Sequence, residues 1–124
     1  MEIVLLDTNI LIEILKGNKK TISTLNSLDA RYAISIISSM ELIYGALNKK
    51  ELKKIEKFLL NFLTVNVDEK ISNKAYNLVK TYAKSHSLDI PDALIAATAI
   101  VNNYKLFTYN LKDFKYINGL EILA

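Results

Sequence analysis

The sequence predicts an α/β protein, a three-layer α/β/α sandwich built on a central parallel sheet. Short apolar runs alternate along the chain with longer segments whose apolar residues recur at helical spacing. Consecutive strands that are separated by helices pair in parallel, and the helices then cover both faces of the sheet. We find no linker, repeat or low-complexity tract in the 124 residues, so the sequence predicts a single domain over residues 1–124.

The first half of the chain shows this alternation clearly. Residues 2–6 form a continuous apolar run, which is typical of a strand buried on both faces. Asp7 or Thr8 then caps a helix that ends near Gly17. The pattern next predicts a helix over 20–28, a strand over 32–37, a helix from Ser38 to about Leu47, and an amphipathic helix over 49–61.

The second half repeats the order. A strand is predicted over 62–67, and Asp68 caps a long helix with one apolar stripe. Pro91 suits the first position of the next helix, which runs to about Asn103. Two short strands, over 106–108 and 120–123, are predicted to close the sheet.

The composition excludes several classes of site. There are no cysteines, which excludes disulfides and thiolate metal sites. The single histidine, His86, excludes a multi-histidine zinc site, and we expect it in a loop or on the surface rather than in catalysis. No targeting signal and no membrane-length apolar stretch is present, so we expect a soluble, cytoplasmic protein.

Four short polar motifs are predicted to meet at one edge of the sheet. Asp7 follows the first strand, and Glu41 lies near the start of the helix that leaves the second. Asp92 opens a helix that feeds a later strand, and Asn110 and Asp113 follow that strand. In parallel α/β sheets, sites form beyond the carboxyl ends of the strands, where all four motifs would lie.

Each motif also has a purely structural interpretation. Asp7 could be an N-cap, and Ser38 with Glu41 matches a capping box. Asp92 could favour the positive end of its helix, while Asn110 and Asp113 could make turn hydrogen bonds. Taken together, however, several carboxylates at one edge repel one another unless a cation neutralises them, and grouped oxygen ligands suit Mg²⁺ or Mn²⁺.

The motifs together resemble those of PIN-domain ribonucleases, and within them the VapC-type toxins of prokaryotic toxin–antitoxin pairs. The resemblance runs from about residue 3 to residue 120, nearly the whole chain, and it rests on the order and spacing of the motifs. Its four parts are Leu5-Leu6-Asp7-Thr8-Asn9, Ser38-x-x-Glu41-Leu42 followed by Tyr44-Gly45-Ala46, Pro91-Asp92-Ala93-Leu94-Ile95-Ala96-Ala97, and Thr108-x-Asn110-x-x-Asp113-Phe114.

The resemblance implies Mg²⁺- or Mn²⁺-dependent cleavage of RNA that leaves 5′-phosphate and 3′-hydroxyl ends. Asp7 and Asp92 would be the principal metal ligands, Glu41 would complete the acidic core, and Thr8 would support Asp7. It further implies a homodimer and a VapB-type antitoxin as partner. Many family members have an aspartate at the position of Asn110. In this chain Asp113 could supply that negative charge instead. The motif is compatible with a site that binds one metal ion or two.

Three other functions remain open from the sequence. A PIN-type nuclease could process RNA without an antitoxin partner, or the same scaffold could bind RNA or protein without catalysis. An aspartyl-phosphate phosphatase also places an aspartate after its first strand, but such enzymes have Asp-x-Asp where this chain has Asp7-Thr8-Asn9. The phosphatase is therefore the weakest of the three.

Overall fold

The computed structural model describes residues 2–123, which form four strands and seven helices in alternating order. In chain order these are β1 (Glu2–Leu6), α1 (Thr8–Leu15), α2 (Lys19–Ser27), β2 (Ala30–Ser35), α3 (Ile36–Tyr44), α4 (Lys49–Leu59), β3 (Leu63–Val65), α5 (Glu69–His86), α6 (Ile90–Asn102), β4 (Lys105–Phe107) and α7 (Leu111–Phe114). None of the helices within residues 2–123 is long and apolar enough to cross a membrane.

The four strands make one parallel sheet in the order β3-β2-β1-β4. β1 is central and pairs with β2 on one side and β4 on the other. Because all the strands run in the same direction, the residues that follow β1, β2 and β4 all lie at one edge of the sheet. This edge is called the carboxyl edge below.

Helices cover both faces of the sheet. Val4 and Leu6 of β1 pack into a core with α1, α2, α3 and α4, while Leu5 points to the opposite face and packs with α5, α6 and α7. The alternation follows from the two-residue period of a strand, and burial on both faces explains the unbroken apolar run. The predicted α/β/α sandwich with a parallel sheet is thus confirmed.

The start of α3 differs from the prediction. β2 ends at Ser35, and the same residue is the N-cap of α3, with its side chain accepting a hydrogen bond from the Ile37 N–H. The helix therefore begins at Ile36 rather than Ser38, and it ends at Tyr44 rather than Leu47, with Gly45 at its C-cap. The β-branched Ile36 and Ile37 suggested a longer strand, but the cap at Ser35 ends it.

Two further elements differ from the prediction, and one helix was not predicted. β3 is shorter than predicted, and residues 120–123 form only a single bridge, between Leu106 and Ile122. The short helix α7, over Leu111–Phe114, was not predicted; its Phe114 side chain is fully buried. Two hydrogen bonds that join Leu106 to Glu121 and Leu123 hold the final segment beside β4.

Candidate active site at the carboxyl edge

The site is built around Asp7, the residue that follows the central strand. Its backbone N–H donates to the Phe107 carbonyl at 3.0 Å, which ties the ends of β1 and β4 together. Its side chain is 4% exposed. One carboxylate oxygen, Oδ1, accepts from the Thr8 N–H at 2.8 Å, and the other, Oδ2, accepts from the Thr108 hydroxyl at 2.7 Å.

A chain of hydroxyl groups connects this carboxylate region to α3. Thr8 Oγ1 donates to Glu41 Oε1 at 2.7 Å and lies 2.8 Å from Ser38 Oγ. Because a hydroxyl carries one hydrogen, which Thr8 gives to the carboxylate, Ser38 must be the donor in the second bond. The capping-box interpretation of Ser38 and Glu41 is wrong: both side chains bond to Thr8 on α1, thirty or more residues away.

Asp92 lies in the first turn of α6 and is half-buried. Burial raises its pKa to about 7, and the negative charges of Asp89, Asp7, Asp113 and Glu41 act in the same direction. The carboxyl groups of Asp7, Glu41 and Asp113 are therefore close enough to Asp92 for their charges to raise its pKa. A group with this pKa is half-neutral near physiological pH unless a cation stabilises its charge.

Asp7 shares part of this environment. Burial raises its pKa, and the hydrogen bonds from Thr108 and Thr8 partly oppose that effect. The charges of Glu41 and Asp113 raise it further. Two carboxyl groups with raised pKa values at one sheet edge are typical of a functional site.

Asn110 and Asp113, the two candidates for the fourth polar position of the site, lie in different places. Asn110 precedes α7, and its backbone N–H donates to Thr108 Oγ1 at 2.9 Å. Asp113, within α7, is exposed, and its charge raises the pKa values of both Asp7 and Asp92. Asp113 therefore contributes negative charge to the acidic group, whereas Asn110 contributes a backbone hydrogen bond to Thr108.

Two residues of the site, Asp89 and Asn9, were not assigned a role from the sequence. Asp89 is the N-cap of α6, accepts from the Asp92 N–H at 2.9 Å and adds negative charge to the cluster. Asn9 Oδ1 accepts from the Tyr109 N–H at 3.3 Å, while its Nδ2 is buried without a hydrogen-bond partner among residues 2–123. The Tyr109 hydroxyl bonds to Thr21 at 2.6 Å, so the turn after β4 is fixed to both α1 and α2.

The buried bond between Thr108 and Asp7 provides a test of this geometry. Replacing Thr108 with valine keeps the shape but removes the donor to Asp7 and the acceptor for the Asn110 N–H. We expect a loss of about 1–3 kcal/mol in the free energy of unfolding at pH 7, measured by urea denaturation. Thr108→Ser keeps the hydroxyl and should recover most of that loss; equal stability of wild type and Thr108→Val would show that the bond is not formed.

The donor set suits a hard divalent cation that keeps part of its hydration. Within residues 2–123, no three acidic or histidine side chains converge closely enough to make a complete cage of protein ligands. Mg²⁺ is usually held by one or two carboxylates, with water and substrate phosphate completing its shell, so a full cage is not required. The buried carboxylate of Asp7 and the half-buried carboxylate of Asp92 fit that arrangement.

The fold and the site together define an α/β/α domain with an acidic centre at the carboxyl edge of a parallel sheet. A family model described as PIN domain matches residues 4–120, and the chain belongs to this family.

Three individual relatives agree with that assignment. The chain is 35% identical over 124 residues to Ribonuclease VapC1 of Methanocaldococcus jannaschii, covering 96% of this chain and 85% of that protein. It is 32% identical over 121 residues to Ribonuclease VapC10 of Mycobacterium tuberculosis, covering 95% and 90%. The structure of VapBC2 from Rickettsia felis bound to a promoter DNA fragment matches with a TM-score of 0.82 and 31% identity, covering 98% and 97%.

Proposed function

We propose that this protein is a metal-dependent endoribonuclease and the toxin of a type II toxin–antitoxin pair. The observation that carries the proposal is the buried Asp7 carboxylate at the carboxyl edge, held by Thr8 and Thr108, with the half-buried Asp92 at the same edge. The ribonuclease relatives, aligned over nearly the whole chain, support the same activity. Mg²⁺ or Mn²⁺ is the proposed cofactor, because the site offers oxygen ligands and no cysteine.

Each residue of the site has a proposed role in phosphodiester hydrolysis. When bound, Mg²⁺ or Mn²⁺ would lower the pKa of a water molecule and offset negative charge on the phosphate. Asp7 and Asp92 would hold the ion, with Thr8 and Thr108 fixing the orientation of Asp7. The water oxygen bonds to phosphorus and loses a proton to solvent while the bond from phosphorus to the 3′-oxygen breaks and that oxygen gains a proton from solvent, so the products carry 5′-phosphate and 3′-hydroxyl ends.

Glu41 has a different role in this scheme. It is exposed, and the Thr8 hydroxyl holds its Oε1 on the side of the α1 N-terminus. Glu41 would help to hold the ion, directly or through a water molecule, and less firmly than Asp7. Ser38 supports this role because its bond to Thr8 leaves the Thr8 hydrogen directed at Glu41.

The charge of Asp113 should matter more than the side chain of Asn110. Asp113→Asn removes a negative charge that acts on Asp7 and Asp92, and we expect cleavage to fall about 10- to 100-fold because an ion is held less well. Asn110→Ala leaves the backbone bond to Thr108 in place and should change the rate far less. Initial rates on one RNA at a fixed Mg²⁺ concentration compare the two variants; a larger loss in Asn110→Ala would reverse the assignment.

For the protein partner, we propose a VapB-type antitoxin. A groove of about 450 Å³ lies between α1 and α4, lined in part by Leu15, Lys54 and Ile55. A neighbouring groove of about 300 Å³ shares Leu15 and Ile55 with it and reaches Glu41. An elongated partner segment in these grooves would end at the acidic site. We also propose a homodimer, as the family resemblance implies.

The proposed activity can be tested in living cells by sequencing RNA ends after induced expression. The expected result is a recurrent set of new 5′-phosphate ends that appears with the wild-type protein and is absent with Asp92→Asn. An identical set of ends with both proteins would contradict the proposal. RNA binding without cleavage by the purified protein would instead favour a silent binding module on this fold.

A further inference from the structure

Three aromatic side chains cluster where α5 and α7 end. The His86 ring stacks on the Tyr116 ring with centroids 4.1 Å apart and planes 10° apart. Tyr82 contacts both rings edge-on, at 5.7 Å from His86 and 5.1 Å from Tyr116. The proposed mechanism uses none of these residues.

Two hydrogen bonds orient the cluster. The Ser85 hydroxyl shares a 2.7 Å hydrogen bond with His86 Nδ1, which fixes the rotation of the imidazole ring. The Tyr82 hydroxyl accepts from the Asn118 N–H at 3.0 Å, which anchors the segment after α7. One face of the His86 ring is covered by Tyr116, the side chain is exposed, and no second ring stacks on it within residues 2–123.

The cluster also borders the acidic site. His86 precedes Asp89, the N-cap of the helix that carries Asp92, by three residues, and Tyr116 follows Asp113 by three. Burial raises the pKa of the Tyr116 hydroxyl, and the charges of Asp113, Asp92 and Asp89 raise it further. The aromatic cluster thus lies at the carboxyl edge, near the carboxylates of Asp89, Asp92 and Asp113.

We propose that the outer face of His86, supported by Tyr116, is a stacking platform for an unpaired RNA base next to the cleaved bond. Proteins that bind single-stranded RNA commonly stack splayed bases on aromatic rings, histidine included. An exposed ring that is already fixed needs no further ordering when a base stacks on it. The inference rests on the proposed nuclease function and adds to it a specific contact for the substrate base.

The test uses a single-stranded oligoribonucleotide whose cut bond has been mapped with the wild-type protein. The fluorescent base 2-aminopurine is placed on one side of that bond and then on the other, and its quenching is followed with EDTA present to prevent cleavage. We expect strong quenching at one of the two positions. His86→Leu, which keeps an apolar side chain on Tyr116 but has no aromatic face, should abolish this quenching and weaken binding about 5- to 150-fold.

Further variants separate stacking from a structural role. His86→Phe should restore quenching and affinity. In the presence of Mg²⁺, His86→Leu should have a higher KM than wild type with little change in kcat, because the stacking contact contributes to binding. Tyr76→Ala removes another exposed aromatic ring of α5, nearly three turns away, and should match wild type.

The possible failures are distinguishable. Unchanged quenching and affinity in His86→Leu, with wild-type cleavage intact, would overturn the platform alone. Equal losses in His86→Leu and His86→Phe would also overturn it, because the contribution would not depend on an aromatic face. Absence of cleavage by the wild-type protein would overturn the nuclease function and the platform with it.

Discussion

Replacing Asp92 with asparagine is expected to reduce RNA cleavage by about a thousandfold or more while the fold persists. The substitution keeps the size of the side chain and removes one of the two carboxylates proposed to hold the ion. Metal-ion catalysis contributes several kcal/mol to lowering the barrier, and each 1.4 kcal/mol corresponds to about tenfold in rate. Cleavage of one defined RNA under excess enzyme gives the rate constant directly.

Asp89→Asn is the matched control for this variant. It removes a negative charge from the same cluster, and asparagine is as good an N-cap as aspartate, so α6 should keep its start. We expect a far smaller loss than with Asp92→Asn. Full activity in Asp92→Asn, or equal losses in the two variants, would contradict the assignment of Asp92 as a metal ligand.

The second large effect concerns stability rather than rate. Asp92 has a pKa of about 7 in the folded protein, well above the ordinary value of an aspartate. Between about pH 4 and pH 7 the folded state therefore binds more protons at this residue than the unfolded state does. Its contribution to the free energy of unfolding consequently falls as pH rises through this window, and the loss is complete above pH 7. Asp7, whose pKa is also raised, acts with the same sign.

Asp92→Asn should therefore make the metal-free protein more stable at pH 8 and leave it nearly unchanged at pH 4. Because the side chain is only half-buried, solvent screening reduces the gain, which we expect to be about 1–2 kcal/mol. Urea denaturation of wild type and variant at the two pH values, with EDTA present, measures the difference.

Two controls accompany the pH experiment. Asp29→Asn, in the exposed loop before β2, removes a carboxylate outside the site and should show no such dependence. Excess Mg²⁺ at pH 8 should stabilise the wild type, because it binds only the folded state, and should stabilise Asp92→Asn much less. If Asp92→Asn is no more stable than wild type at pH 8, the raised pKa of Asp92 in the folded protein is contradicted.

The topology of the site could be predicted from the sequence because parallel strands leave few choices. Once β1 and β4 are parallel neighbours, Asp7 and the turn after β4 must share one edge, and Asp92 reaches it through the helix that feeds β4. The alternation of apolar runs and helical stripes was sufficient to establish that order. Knowledge of exact element ends was not required.

Side-chain partners could not be predicted in the same way. The pattern of Ser38 and Glu41 is compatible both with a capping box and with bonds to another helix, and only the position of Thr8 decides between them. Asp89 gave no signal beyond that of an ordinary cap. Helix α7 is four residues long, too short for a periodic pattern, and it forms because Phe114 is buried against the core.

Cleavage of a defined RNA by the purified protein, first in EDTA and then after addition of Mg²⁺ or Mn²⁺, tests the central claim most directly. We predict no cleavage in EDTA, recovery when either ion is added in excess, and products with 5′-phosphate ends. Undiminished cleavage in EDTA, or the absence of cleavage with both ions present, would contradict a metal-dependent ribonuclease site formed by Asp7 and Asp92.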